Sequence, residues 1–274
     1  MTFKVPIISG SKSDEPHVSA IRRALDGFGI ESSWDVASAH REHKDAMALV
    51  YTYNFRPSSP VITVAGRSDA LSGCVAFESR YPVIASRPDH NKPYDLEMYY
   101  FSTVGTPSRV APGAVLGPEQ TAGYVNRLVR MMQQPADYMA IAINRLDDDS
   151  CIGFSNEVAE ISQGRVSVIV ADMAQAEYKK CPVGVILGKG NEDDYYLING
   201  AADSGRPVIY SPGKTEKRQL LELGRQFFHS DYRPEVAVVM DPKNAALYAV
   251  TVLGLLDRRL AAECMSYRAG QKHG

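Results

Sequence analysis

The chain has 274 residues, of which 45% are hydrophobic and 23% are charged, and its formal net charge is −2 at pH 7. This composition is typical of a globular protein, and so small a net charge predicts no nucleic-acid partner. No basic leader is followed by an apolar stretch, and no apolar run approaches the ~18–20 residues of a membrane span. We therefore expect a cytoplasmic protein without membrane contacts. Four cysteines with no C-x-x-C pair predict free thiols and no metal site.

The first predicted strand ends in a polar turn that opens a helix. Residues 3–9 form a short apolar run before Gly10, which predicts a buried strand. From Glu15 onward, apolar residues recur at helical spacing, at Val18, Ile21, Leu25 and Phe28.

The turn itself is Gly10-Ser11-Lys12-Ser13-Asp14. Free N–H groups at a helix N-terminus favour an anion, and the hydroxyls of Ser11 and Ser13 add donors. Asp14 would repel a phosphate, so we expect it to accept hydrogen bonds from sugar hydroxyls. The alternative is an ordinary helix N-cap by Ser13 or Asp14.

A second polar turn follows a second predicted strand. Residues 33–38 predict that strand and residues 41–53 the helix after it, with His40 in the turn between them. A lone histidine is more often structural than catalytic. A histidine followed by Arg41 at a strand end is a stronger candidate, because the arginine can grip a phosphate with two hydrogen bonds and the histidine can move a proton near neutral pH.

Five sequence blocks in order resemble one family. GSKSD at 10–14 and SAHR at 38–41 are followed by AGRSDALSG at 65–73, YPVI at 81–84 and GPEQTA at 117–122. This series resembles the PurE family, the aminoimidazole ribonucleotide carboxylases and mutases of purine synthesis, over residues 3–133. The third block is closer to the AGRSN form of the direct carboxylases, class II, than to the AGAGGAAHLPG form of the mutases, class I. Asp69 departs from the asparagine of that form.

The resemblance implies that 5-aminoimidazole ribonucleotide (AIR) is carboxylated at C4, giving carboxyaminoimidazole ribonucleotide (CAIR). It implies the use of carbon dioxide without ATP, biotin, metal or any other cofactor. His40 is the expected proton carrier, and Asp14 the expected ribose ligand. The remaining expected substrate ligands are Gly10, Ser11, Ser13 and Arg41 at the phosphate, and Ser38, Gly66, Arg67 and Ser68 at the base and carboxylate. The other histidines, including His17, match no family position and are expected to be surface or packing residues.

Two alternatives to direct carboxylation stay open. One is a mutase that moves a carboxylate from N5 to C4 of the same nucleotide. The other is a relative that keeps the fold but acts on another ribonucleotide, or only binds one, since a fold alone does not fix an activity.

The second half of the chain repeats parts of the first. DPKNAALY at 241–248 resembles GPEQTAGY at 117–124, an offset of 124, and RPVIYS at 206–211 resembles YPVIAS at 81–86, an offset of 125. MAIAI at 139–143 aligns with KVPII at 4–8, an offset of 135. The repeat indicates a tandem duplication with roughly 11 residues missing from the second copy, as the change in offset implies.

The second copy lacks the polar signatures of the first. Residues 144–149 read NRLDDD in place of the first turn, and residues 171–174 read ADMA in place of SAHR. Three successive carboxylates would repel a phosphate. We therefore predict a catalytic module at 1–134 and a degenerate module at 135–274.

Alternation of strands and helices predicts an α/β fold in which helices cover both faces of a parallel sheet. We expect two tandem flavodoxin-like three-layer α/β/α modules. Because the resemblance implies an octamer of single modules, a fused pair predicts a homotetramer. The apolar helix that contains Leu247, Val250, Leu253 and Leu256 is expected to pack on partner modules.

Overall fold

The computed structural model describes residues 4–66, 69–88, 103, 106–134, 139–144, 148–171, 180–189, 193–202, 204–212 and 235–270. Strands and helices alternate along these residues, as the sequence predicts. In the described ranges, no helix is both long and apolar enough to cross a membrane.

The ten strands of the described residues form one sheet, in the order β2-β1-β3-β4-β5-β10-β9-β8-β6-β7. The strands are β1 (Lys4–Ser9), β2 (Glu31–Val36), β3 (Val61–Val64), β4 (Val83–Ser86), β5 (Gly113–Val115), β6 (Ala140–Ile143), β7 (Ser167–Val170), β8 (Val183–Leu187), β9 (Val208–Ser211) and β10 (Ala237–Val238).

Helices cover both faces of this sheet. The helices within the described residues are α1 (Glu15–Gly27), α2 (His43–Asn54), α3 (Ala70–Glu78), α4 (Pro118–Gln133), α5 (Asp148–Ser162), α6 (Asp193–Ala202), α7 (Pro242–Leu253) and α8 (Arg258–Ala269). A short 3-10 turn, Lys12–Asp14, precedes α1.

The sheet consists of two halves with the same strand order. β1 to β5 pair in parallel in the order 2-1-3-4-5, and β6 to β10 repeat that order from the opposite end. The order is that of flavodoxin-like folds. The halves meet where β5 and β10 pair antiparallel, with Val238 opposite Ala114. Because the halves run in opposite directions there, their carboxyl ends lie at opposite edges of the sheet.

The sequence predicts a parallel sheet for each of two tandem modules, and the structure differs in joining the two parallel halves into one continuous sheet with an antiparallel seam. The physical reason lies in the strand order, which leaves β5 and β10 as the last strands of their halves. An exposed last strand presents unpaired N–H and C=O groups. Pairing the two last strands with each other removes both edges.

Close packing holds the seam together. A Cβ atom on Gly113 of β5 would lie 2.5 Å from the ring of Tyr248 on α7, so only glycine fits there. A Cβ atom on Gly123 of α4 would likewise collide with the Glu235 side chain. Glu235 is held in place by Arg127, whose Nε lies 2.7 Å from the Glu235 carboxylate.

The core residues of α1 follow the predicted pattern, with one exception. Val18, Ile21 and Leu25 are buried, and they pack with Val5 of β1 in the main core. The prediction for Phe28 is wrong, because α1 ends at Gly27 and Phe28 turns outward, with 46% of its surface exposed.

Helix α7 is buried within the chain itself. Leu247, Val250 and Leu253 have almost no exposed surface, and α7 packs against α5 and α8. The expectation that this helix packs on partner modules is therefore wrong for these residues. The turn after α7 depends on Gly254, where a Cβ atom would come within 3.1 Å of Ala261 Cα. That close approach lets α8 fold back onto α7.

Strands and helices of the second half lie at the offsets that the sequence repeat predicts. β6 lies where the offset of 135 from β1 puts it, and β9 lies at an offset of 125 from β4. α7 begins 124 residues after α4. The predicted module boundary at 134 follows the end of α4 at Gln133, and residues 135–138 lie outside the described ranges.

Candidate active site

Three loops and the end of a fourth strand meet at the carboxyl edge of the first half. Ser9 is level with Val36 of β2 and with Val64 of β3, and Val64 is level with Ser86 of β4. The first loop (10–14) therefore lies beside the second loop (37–42) and beside the third loop (65–69). The first two polar turns, each predicted to follow a strand, therefore lie at one sheet edge.

Backbone hydrogen bonds fasten these loops to one another. The N–H of Gly10 donates to the Val64 carbonyl oxygen at 2.9 Å, and the N–H of Ala37 donates to the Ser9 carbonyl oxygen at 2.9 Å. The side chain of Ser9 adds a third link, because it accepts a hydrogen bond from the Trp34 indole at 2.9 Å. The first loop is thus tied to both neighbouring strands.

The first loop folds around its own serines. Ser11 caps the 3-10 turn by accepting from the Ser13 N–H at 3.2 Å, and the two hydroxyls lie 2.8 Å apart. Ser13 is exposed and Ser11 is half-buried. Both hydroxyls and the start of α1 therefore lie at the surface of the sheet edge, where an anion can reach them.

Asp14 occupies the N-cap position of α1 but does not cap it. Its carboxylate makes no hydrogen bond to the first-turn N–H groups of the helix, and only 3% of its surface is exposed. The alternative in which Asp14 is an ordinary cap is therefore wrong. The helical backbone also begins earlier than predicted, because the 3-10 turn already includes Lys12.

The second loop is closed by a reciprocal pair of hydrogen bonds. The Glu42 N–H donates to the Ser38 carbonyl oxygen at 2.7 Å, and the Ser38 N–H donates to the Glu42 carboxylate at 3.3 Å. The strand before it ends at Val36, and the helix after it begins at His43. The loop is therefore longer at both ends than predicted.

His40 and Arg41 lie at the tip of this closed loop. Both side chains are exposed, whereas Ser38 at the base of the loop is buried. Below the loop, Tyr53 of α2 donates to the Asp35 carboxylate at 2.6 Å. Burial, together with this bond, raises the pKa of Tyr53 above its usual value. The loop base is therefore anchored, and its two functional candidates face solvent.

The third loop is anchored by a buried carboxylate. Asp69 accepts from the Ser72 N–H at 2.9 Å and from the Thr103 hydroxyl at 2.8 Å, and it caps α3. Burial raises the pKa of Asp69, although these hydrogen bonds act in the opposite direction. Of the predicted ligands in this loop, Gly66 is half-buried, whereas Arg67 and Ser68 lie outside the described residues.

In the sequence, Asp69 stands out only because it departs from the family pattern, and its capping role is not predicted. The sequence signal for a helix cap is the position of Asp69, three residues before Ser72 and at the start of an apolar run. An aspartate at such a position is typical of a helix N-cap.

A chain of polar side chains links three elements at the same edge. His17 Nε2 of α1 lies 2.9 Å from the Ser86 hydroxyl, the last residue of β4. Ser86 Oγ lies 2.8 Å from the Thr121 hydroxyl of α4, which donates to the Gly117 carbonyl oxygen at 2.7 Å. His17 was expected to be a surface or packing residue. Its ring is half-buried and bonds a buried serine beside the candidate site, a contact that the sequence does not predict.

At the corresponding edge of the second half, side chains fill the space above the strands. Asn144 bridges β6 and β8, because its amide accepts from the Leu187 N–H at 2.7 Å and donates to the Leu187 carbonyl oxygen at 2.9 Å. Tyr210 donates to the Asp194 carboxylate at 2.8 Å. A Cβ atom on Gly188 would collide with both of those side chains. The counterparts of the first two loops, 145–147 and 172–179, lie outside the described residues.

The described residues contain no candidate metal centre. In those residues, no group of three or more His, Cys, Asp or Glu side chains is arranged to hold an ion. The cysteines at 74, 151, 181 and 264 are free thiols.

Comparison with known proteins identifies the first half. The family model described as AIR carboxylase matches residues 4–145. A phosphoribosylaminoimidazole carboxylase of Archaeoglobus fulgidus is 37% identical over 132 residues, which cover 48% of this chain and 72% of that relative. The chain belongs to the AIR carboxylase family. The candidate site of this family member lies entirely within the matched residues.

Two further proteins extend the comparison. An N5-carboxyaminoimidazole ribonucleotide mutase of Vibrio vulnificus is 33% identical over 113 residues, which cover 41% of this chain and 70% of that protein. A crystal structure of Treponema denticola PurE is 33% identical, with a TM-score of 0.40, over 47% of this chain and 77% of that one. The family therefore includes relatives named for a carboxylase and for a mutase.

Proposed function

We propose that the first half of this chain carboxylates AIR at C4 to give CAIR in purine biosynthesis, using carbon dioxide without ATP. The observation that carries the proposal is the meeting of the first and second loops at one sheet edge. Gly10 and Ala37 fasten those loops to neighbouring strands through bonds of 2.9 Å. A ribonucleotide phosphate at Ser11 would then lie beside the loop that carries His40.

The proposed phosphate ligands are the hydroxyls of Ser11 and Ser13 and the guanidinium of Arg41, because the single N–H of Gly10 is already donated to the Val64 carbonyl oxygen. Support for the hydroxyl ligands comes from their mutual distance of 2.8 Å and from their position before α1. An exposed Arg41 can turn toward a bound anion without losing a buried contact.

Asp14 is the proposed ribose ligand. Its carboxylate makes no hydrogen bond to the first turn of α1, which is consistent with a role other than helix capping. Because a carboxylate only accepts hydrogen bonds, sugar hydroxyls suit it better than a phosphate does.

His40 is the proposed proton carrier. C4 of AIR is an enamine-like carbon, and its electron pair attacks carbon dioxide to form the new carbon–carbon bond. The C4 proton must then leave to restore the aromatic ring, and a histidine at an exposed loop tip can accept it. Ser38, Gly66, Arg67 and Ser68 are proposed to hold the base and the new carboxylate.

The direct test is incubation of the protein with AIR and carbon-13 bicarbonate in the absence of ATP. The expected result is CAIR that carries the label, detected by its absorbance and mass. The variant His40→Asn serves as the inactive control, and His43→Asn, at an exposed histidine of α2, as the active one. Failure of the wild-type protein to consume AIR would refute the proposal.

The mutase reaction is the second candidate, because the Vibrio vulnificus relative carries that name at 33% identity. Its test supplies N5-carboxy-AIR after dissolved carbon dioxide has been removed. Product that forms faster than the N5 compound decomposes would favour the mutase. Binding of ribonucleotides without turnover of either compound would favour a relative that acts on another ribonucleotide.

We also propose that the chain is a fused pair of related modules, 1–134 and 135–274, of which only the first is catalytic. The shared 2-1-3-4-5 strand order of the two halves supports this division. The amide of Asn144 and the Asp194–Tyr210 pair fill the second edge, which supports a loss of substrate binding there. A homotetramer of eight modules is the proposed cytoplasmic assembly, and light scattering tests it.

A further inference from the structure

We infer that His17 is a positioning residue of the ribonucleotide site, and that a one-way chain of hydrogen bonds through Ser86 and Thr121 fixes its ring. The inference rests on the proposed function, because it assigns His17 to the same nucleotide site. The ring would hold the start of α1, and with it the first loop, against the end of β4.

The donor in each of these hydrogen bonds follows from the number of hydrogens that each group carries. A carbonyl oxygen can only accept, so the Thr121 hydroxyl donates its single hydrogen to Gly117 at 2.7 Å. Thr121 Oγ1 must therefore accept from Ser86, whose oxygen lies 2.8 Å away. Ser86 then has no hydrogen left for the histidine. It follows that His17 Nε2, at 2.9 Å, carries the hydrogen and donates it to Ser86.

Burial protects the hydrogen bonds of Ser86 and Thr121 from water. Ser86 and Thr121 have no exposed surface, so water does not compete for either hydroxyl. A buried donor or acceptor that loses its partner is costly. The three groups are therefore coupled, and the ring of His17 is held in one tautomer at Nε2.

The location of His17 connects this chain to substrate. It lies in the first turn of α1, three residues after Asp14, and residues at that spacing are neighbours on a helix surface. The bond to Ser86 fixes that turn, and hence the N–H groups and carboxylate expected to hold the phosphate and ribose. Its loss should weaken nucleotide binding rather than slow the chemical step.

The second half contains an internal comparison. Ser211 ends β9 at the position that corresponds to Ser86, but Ala245 stands where Thr121 does, and α5 contains no histidine. The Ser211 hydroxyl is buried and meets no hydrogen-bond partner within the described part of the chain. The serine is thus present in both halves, whereas among the described residues the complete hydrogen-bond chain lies only beside the candidate site.

Nuclear magnetic resonance of the histidine nitrogens tests the direction without any activity. In the nitrogen-15-labelled wild-type protein, His17 should carry a hydrogen on Nε2, and its signals are assigned by their loss in His17→Gln. An Nε2 without hydrogen would overturn the inference. Thr121→Val frees the Ser86 hydrogen, so part of the His17 population should lose its Nε2 hydrogen. No change of tautomer in that variant would overturn the role of Thr121.

Kinetics test the positioning role. His17→Ala should raise the KM for AIR about tenfold, with kcat within about twofold of wild type. His17→Gln keeps an N–H donor for Ser86 and should restore most of the affinity, whereas His43→Gln should match wild type. An unchanged KM in His17→Ala, or no rescue by glutamine, would overturn the inference.

The two proposals fail in different ways. If the wild-type protein does not turn over AIR, the proposed function fails, and the same variants are compared by titration with ribose 5-phosphate. Weaker binding in His17→Ala than in His17→Gln would still support the positioning role. Equal binding by the two variants would overturn it.

Discussion

Tyr124 of α4 and Tyr248 of α7 occupy equivalent positions on the two sides of the seam, seven residues after Gly117 and seven after Asp241. Both side chains are fully buried. Burial raises the pKa of each hydroxyl above its usual value, and each hydroxyl also acts on the pKa of the other. The repeat read from the sequence therefore puts two matching buried side chains on the two sides of the seam.

The seam gives a first prediction, at Gly113. Alanine there would put a Cβ atom 2.5 Å from the Tyr248 ring, so Gly113→Ala should lower the free energy of unfolding by about 1–3 kcal/mol, as overpacking does. Urea denaturation measures this. The matched control is Gly153→Ala on the exposed side of α5, where no atom lies within 4 Å. It should raise stability by up to about 1 kcal/mol, and equal effects of the two substitutions would contradict the prediction.

The second loop gives a prediction that separates chemistry from binding. His40→Asn removes a proton carrier but no phosphate donor, so turnover should be lost while AIR binding is retained. Arg41→Ala should weaken binding by about 1.5–3 kcal/mol, the range for hydrogen bonds to charged groups. Calorimetry and product absorbance measure the two effects. Wild-type activity in His40→Asn would refute the mechanism, and identical behaviour of both variants would refute the division of roles.

Asp69 gives a prediction about pH. Burial raises its pKa above 3.8 in the folded protein, so the folded state holds its proton more tightly than the unfolded chain does. The contribution of this group to stability is therefore complete below pH 3.8, and it declines as pH rises from there through the raised pKa.

Asp69→Asn removes this pH dependence and leaves an amide oxygen that can accept hydrogen bonds at the same position. The stability of the variant relative to wild type should therefore increase as pH rises above 3.8, as measured by urea denaturation at several pH values. A relative stability that falls over that range would mean that the pKa of Asp69 is lowered in the folded protein.

Local patterns predicted the elements of the first half, because each depends on residues close in the chain. Alternation of apolar runs with helical spacing identified β1 and α1, and the polar turns after β1 and β2 identified the sheet edge. The burial of Val18, Ile21 and Leu25 follows directly from that spacing.

Features that depend on distant residues were not visible in the sequence. The seam pairs Ala114 with Val238. The hydrogen bonds at the candidate site link His17 to Ser86, and Ser86 to Thr121. Nothing near His17 in the chain signals that its ring meets a buried serine 69 residues away. The continuous sheet was missed for the same reason, because a duplicated sequence is compatible with separate modules as well as with joined ones.

The last prediction concerns a chain cut after Gln134. The fragment keeps every proposed catalytic residue, but it loses β10, which covers the edge of β5, and Tyr248, which covers Gly113. An uncovered strand edge promotes association, and α4 would lose the neighbours that bury Tyr124. The fragment should therefore be aggregated or inactive, as measured by light scattering and by AIR consumption. A soluble and fully active fragment would mean that the first half does not need the second for its fold or its site.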